Sequence, residues 1–313
     1  VLTDDGYVLT NTHVVTLDGR SADGTIEVST YDGRLYTAEI VGLDPIVDLA
    51  VIKLEGATGL QPIEFADSAG LNVGDQAVAI GAPLGLSNTV TDGIVSALNR
   101  SIQIASAAVP EDASEQDSDT GQGNGETSPF DFWSFGQQPG GGSSPSSTIS
   151  IPVVQTDAAI NPGNSGGALV DGQGKLIGVN VAIASTGSSP GSQSGSIGVG
   201  FAIPSNLAKR VADEIIETGK ASHGLLGATV QNATSETSDT VGALIVEVTR
   251  GGAAEAAGLR AGDVVTEFNG LPITSSTDLT AQVRALAGGS TTTLAYVRDG
   301  RTATVEVELG ELT

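Results

Sequence analysis

A serine set among glycines carries the most chemical content in this chain: Asn161, Pro162, Gly163, Asn164, Ser165, Gly166 and Gly167 stand in a row. The glycines can take backbone angles closed to residues with a Cβ, so a turn here pushes the Ser165 hydroxyl outward and lets nearby N–H groups converge. An activated serine and the donors for an oxyanion can come from one such loop. A tight turn between strands is the plainer reading. A serine nucleophile needs a base to take its proton, and histidine is the usual one. The chain has two, His13 and His223. His13 follows the apolar run that starts at Tyr7 and is expected at a strand end. The imidazole needs a carboxylate to fix its tautomer, and Asp48, directly before the apolar run 49–52, is the candidate. Each residue alone is ordinary, since histidines at strand ends and acids before strands are commonly structural. The order His, Asp, Ser is one in which this constellation occurs.

The elements that must bring these residues together read as short strands. Residues 25–30, 34–41, 49–54, 76–81 and 89–98 alternate or run apolar between turn residues, and 149–155, 167–170, 176–184 and 196–203 continue the pattern. Beyond Pro204 the texture changes: Leu207, Val211, Ile215 and Ile216 recur at helical spacing up to Gly219, with Ser205 as the expected N-cap. A second unit follows from His223. Its strands are expected near 227–231, 242–248, 263–268, 291–298 and 302–309, with helices at 253–257 and 277–286.

Composition narrows the function classes. At 313 residues the chain has room for two cores, and 43 glycines fit a loop-rich β protein. The absence of cysteine excludes disulfides and thiolate chemistry. A formal charge of −24 argues against a nucleic-acid partner, because phosphate would be repelled. No metal-loop spacing, phosphate-binding loop or membrane-length apolar run is visible, so no cofactor is expected. Residues 105–147 are rich in Ser, Gly, Pro and Gln, and seven acids there, from Glu111 to Asp131, face no Lys or Arg. A disordered insertion is expected, and within it Phe130, Phe132, Trp133 and Phe135 read either as a docking cluster or as a tethered loop packing on its own domain.

Together, Thr10-Asn11-Thr12-His13-Val14-Val15, Asp48-Leu49-Ala50-Val51-Ile52-Lys53, Ile80-Gly81-Ala82-Pro83-Leu84-Gly85, the segment Gln155 to Leu169 around Ser165, and Gly198-Val199-Gly200-Phe201-Ala202-Ile203-Pro204 resemble the HtrA family of serine proteases. The resemblance covers nearly the whole chain except 105–147. It implies a chymotrypsin-like double β-barrel over residues 1–204, a helical linker over 205–222, and a small α+β PDZ domain over 223–313. It also implies that His13 is the general base, Asp48 its orienting partner and Ser165 the nucleophile, with the N–H groups of Gly163 and Ser165 as the oxyanion hole. Members have an earlier barrel strand, so an N-terminal portion is expected before Val1, with the first barrel incomplete without it. Any export signal or membrane anchor would lie there. Asn164 occupies the position where zymogen-activated relatives carry Asp, so activation by propeptide cleavage is not expected.

The loop before Ser165 offers Ala159 and Ile160 and the facing segment Ile197 and Val199, an uncharged substrate pocket suited to aliphatic side chains. In the PDZ unit, Gly224, Leu225, Leu226 and Gly227 form the expected carboxylate loop, with a peptide adding as a strand beside 228–231; a packing domain without a ligand is the plainer reading. The expected function is ATP-independent endoproteolysis of misfolded or unfolded polypeptides in extracytoplasmic bacterial quality control, regulated by C-terminal peptides at the PDZ groove. A homotrimer is implied by resemblance. A chaperone or holdase module in which proteolysis is secondary is the alternative.

Overall fold

The computed structural model describes residues 1–16, 25–82, 89–106, 147–161, 163–183, 198–234 and 238–312. Ile197, the aromatic cluster and the rest of the acidic segment lie outside the described residues, apart from the segment's two ends.

The first part of the chain makes a four-stranded antiparallel sheet ordered β1-β4-β3-β2. Its strands are β1 (Tyr7–Thr10), β2 (Ile26–Ser29), β3 (Leu35–Asp44) and β4 (Leu49–Leu54). The second part closes into a six-stranded barrel. It consists of β5 (Gln76–Gly81), β6 (Thr89–Ser106), β7 (Ser147–Thr156), β8 (Ala168–Val170), β9 (Leu176–Ile183) and β10 (Gly200–Pro204). Pairing of β6 with β7 runs out to Ser106 and Ser147, so both ends of the segment expected to lack structure are strand.

Two apolar clusters place these sheets. Ala77, Ala79, Val95, Val154, Ile160, Leu169 and Ile177 fill the barrel. A second cluster joins Leu9, Val47, Leu49 and Val51 of the first sheet to Ile151, Val153, Val179, Val181 and Phe201 of the barrel. The helix α2 (Ser205–Thr218) seals this junction with Leu207, Val211 and Ile215, the spacing read from the sequence. Burying so many aliphatic side chains at one seam fixes the sheet and barrel relative to each other, at about 1.5–3 kcal/mol for each large side chain. Gly219 ends the helix at φ 82°, its N–H returning to the Ile215 carbonyl. The expected cap is corrected: Pro204 is the N-cap, and Ser205 is the first helical residue, donating its hydroxyl to the Ala66 carbonyl at 2.8 Å.

His13 also sits differently from expectation. The chain turns out of β1 into the one-turn helix α1 (Thr12–Thr16), so His13 rides on a helix rather than a strand end. The last unit holds β11 (His223–Leu225), β12 (Ala228–Asn232), β13 (Ala243–Val248), β14 (Val264–Phe268), β15 (Leu271–Pro272), β16 (Thr291–Arg298), β17 (Arg301–Glu308) and β18 (Gly310–Leu312), with helices α3 (Ala253–Ala256) and α4 (Ser276–Ala285). Its core is Phe268, Ile245, Leu279, Leu294 and their neighbours. Strand β12 is the edge of the main sheet, while β11 pairs with β18 in a separate two-stranded sheet.

Candidate active site

Antiparallel pairing of β1 with β4 sets Thr10 opposite Ala50. The residues just past β1 therefore meet those just before β4, which brings His13 to Asp48 across 35 positions of sequence. The His13 Nδ1 lies 2.6 Å from Asp48 Oδ2, and the His13 backbone N–H donates to Asp48 Oδ1 at 3.0 Å. A carboxylate only accepts, so the proton of a neutral imidazole stays on Nδ1 and Nε2 presents a lone pair. Asp48 is buried, whereas the His13 side chain keeps 19% of its surface open. The carboxylate is thus screened from water and the imidazole is reachable.

Asp48 adopts φ 56°, a left-handed conformation unusual for a residue with a Cβ. Such strain costs on the order of 1–3 kcal/mol and persists where surroundings over-determine it. Here the Asp48 carbonyl accepts from the Asn11 amide at 2.8 Å and from the Thr12 N–H at 3.3 Å.

Ser165 comes from the barrel side. Its loop is tied by Asn164 N–H to Asn161 O and Gly167 N–H to Asn164 O, and stitched to β9 by Gly166 N–H to Asn180 O and Asn180 N–H to Gly167 O. Gly166 has φ 80°, and a Cβ there would strike the Thr10 hydroxyl. The glycine is what lets the Ser165 loop close against the strand that leads to His13. The Ser165 hydroxyl donates to the Val181 carbonyl at 3.3 Å. Gly163 stands at φ 99°, and among the described residues neither its N–H nor that of Ser165 has a hydrogen-bond partner. Asn164 is buried, its amide 3.5 Å from the Ala159 carbonyl.

One family profile, the trypsin-like peptidase domain, matches residues 1–179, and a second, the PDZ domain, matches residues 224–309. The HtrA-type protease AlgW with tripeptide superposes at a TM-score of 0.64 and 34% identity, covering 100% of this chain and 88% of that one. The chain belongs to the HtrA family of serine proteases. Serine protease PepD of Mycobacterium tuberculosis is 44% identical over 99% of this chain and 60% of its own length. Periplasmic serine endoprotease DegP of Escherichia coli is 39% identical over 98% and 55%. The chain thus spans somewhat more than half the length of these curated relatives.

Within this HtrA-family chain, three of the four expected substrate-pocket residues fall among the described residues. Ala159 is half-buried, its carbonyl accepting from the Thr91 hydroxyl at 2.7 Å, and Val199 is half-buried against the cluster at the sheet–barrel seam. Ile160 is wholly buried in the barrel core, its Cδ1 filling the space that a side chain on Gly200 would need. It backs the wall instead of lining an open surface, so it departs from its expected place. The carboxylate loop needs a correction at one residue. Gly224 lies in β11 and its N–H already donates to the Leu286 carbonyl at 2.7 Å, so it has none to offer a ligand. Leu226 and Gly227 fall between β11 and β12, and among the described residues their N–H groups are unpaired. They line a narrow cleft with Leu225, Leu279 and Val283, and Gln103 and Ser150 of the barrel form its other wall.

His223, given no role from sequence, is the residue that was missed. It is buried, with Nε2 2.9 Å from Asp44 Oδ2 and Nδ1 2.8 Å from the Arg284 carbonyl. The one signal was its position at the first residue of the second unit.

Proposed function

We propose that this chain is the proteolytic and peptide-sensing part of an ATP-independent serine endopeptidase acting on unfolded polypeptides outside the bacterial cytoplasm. The observation that carries the reading is the His13–Asp48 pair at the end of the first sheet, with a glycine-built serine loop of the barrel packed by Gly166 against Thr10 and Asn11 just before His13. Attack on a peptide carbonyl would transfer the Ser165 proton to His13 Nε2, with Asp48 stabilising the imidazolium. The Ser165 hydroxyl must first leave the Val181 carbonyl, because a hydroxyl has one proton to donate. The N–H groups of Gly163 and Ser165 are the donors for the tetrahedral oxyanion, and the collapse that expels the amine takes its proton back from His13.

Names of relatives support the location and the chemistry, since DegP is printed as a periplasmic serine endoprotease. Peptide control is supported by the open edge of β12 and by the unpaired N–H groups of Leu226 and Gly227, which suit an incoming strand ending in a carboxylate. A trimer remains part of the proposal by family likeness. Digestion of denatured casein tests the activity: the wild-type protein should degrade it without ATP, and Ser165→Ala should not. Binding without cleavage by the wild type would favour the holdase reading.

A further inference from the structure

We infer that Asn11 is a positioning residue for the triad: its side-chain amide locks Asp48 in the left-handed backbone conformation from which the carboxylate reaches His13. The inference rests on the assignment of His13, Asp48 and Ser165 above.

Asn11 is fully buried at the end of β1, and its Nδ2 donates to the Asp48 carbonyl at 2.8 Å across 37 residues of sequence. That bond is the only one its side chain makes among the described residues, its Oδ1 having no partner. A buried polar group kept for volume alone would be replaced at lower cost by an apolar side chain. The same carbonyl takes the Thr12 N–H, so two donors fix the plane of the peptide that follows Asp48. With the Asp48 backbone already at φ 56°, holding the following peptide plane fixes its second dihedral too, and so the direction in which the side chain leaves the backbone. The carboxylate then bridges the His13 ring and the His13 N–H. The Asn11 backbone nitrogen also lies against the nucleophile loop, 3.2 Å from where a Cβ on Gly166 would sit. Asn11 therefore touches both the acid's backbone and the loop that carries the serine. Asp44, the other buried acid of this turn, accepts from His223 and from the Ile46 N–H. It is engaged away from His13.

The test is a double-mutant cycle on the whole chain, reading kcat, KM and the rate of Ser165 labelling by a fluorophosphonate as functions of pH. Asn11→Ala should lower kcat/KM and labelling by about 100-fold, mostly through kcat, the size of effect that a misplacement of about 1 Å produces. The acidic limb should move to lower pH, because an imidazolium that has lost its oriented carboxylate gives up its proton more easily. In the Asp48→Ala background, Asn11→Ala should cost nothing further. Equal losses in both backgrounds, or an acidic limb unchanged by Asn11→Ala, would overturn the inference. Should Asn11→Ala not fold, Asn11→Ser keeps a polar group whose hydroxyl, one bond shorter than the amide, falls short of the Asp48 carbonyl; it should shift the limb in the same direction, and a wild-type limb in that variant would overturn the inference. Failure of the wild type to label at Ser165 would instead remove the triad assignment, and this inference with it.

Discussion

Asp48 concentrates the chemistry of the site because its backbone and its carboxylate are both committed. Replacing it by Asn keeps a residue that tolerates φ 56° and so should leave the fold intact. An amide has a single acceptor oxygen and an NH2 that only donates, so it cannot take both His13 N–H groups, and the imidazole would then be held in the wrong tautomer. Asp48→Asn should reduce kcat by about 10⁴ with thermal stability near wild type, checked by peptide hydrolysis and calorimetry side by side. Gly166 offers the complementary prediction. A Cβ at φ 80° would strike the Thr10 hydroxyl, so Gly166→Ala should both strain the loop, by about 1–3 kcal/mol, and move Ser165 away from His13. Urea denaturation and peptide hydrolysis should then fall together. These residues were legible from sequence because the chemistry restricts their types: one serine among glycines, one histidine after an apolar run, one acid before another. The strain at Asp48 and the clamp from Asn11 were not legible, since both depend on strand register across a gap of 37 residues.

Elements were legible to the extent that local pattern decides them. The spacing of Leu207, Val211 and Ile215 gave α2 because the helix buries one face at the sheet–barrel seam. Ser205 misled as a cap because a hydroxyl near a helix start can equally reach a distant carbonyl, here that of Ala66. A one-turn helix such as α1 has no periodicity to detect, and β11 exists only through its distant partner β18. The seam has its own weak point at Gly42 on β3, which faces the carbonyl of Gly219 and the Ile215 side chain. Gly42→Ala should push α2 off the sheet and lower stability by about 1–3 kcal/mol, the usual cost of overpacking, as read from the urea midpoint.

Across the whole molecule, the buried His223–Asp44 contact ties the start of the second unit to the turn that carries Asp48. Removing one partner leaves the other buried and uncompensated, so His223→Ala should cost about 3–5 kcal/mol in urea unfolding. The cleft proposed for a peptide lies on the same boundary, where a ligand's carboxylate would meet the N–H groups of Leu226 and Gly227. Amidating a C-terminal peptide should weaken binding by about 1.5–3 kcal/mol in calorimetry. The central claim, that Ser165 is a nucleophile activated by His13 and Asp48, is met most directly by fluorophosphonate labelling with mass-spectrometric mapping of the adduct. The account predicts a single adduct on Ser165, lost in Ser165→Ala and slowed by orders of magnitude in His13→Ala. An adduct elsewhere, or labelling of Ser165 at an unchanged rate without His13, would contradict it.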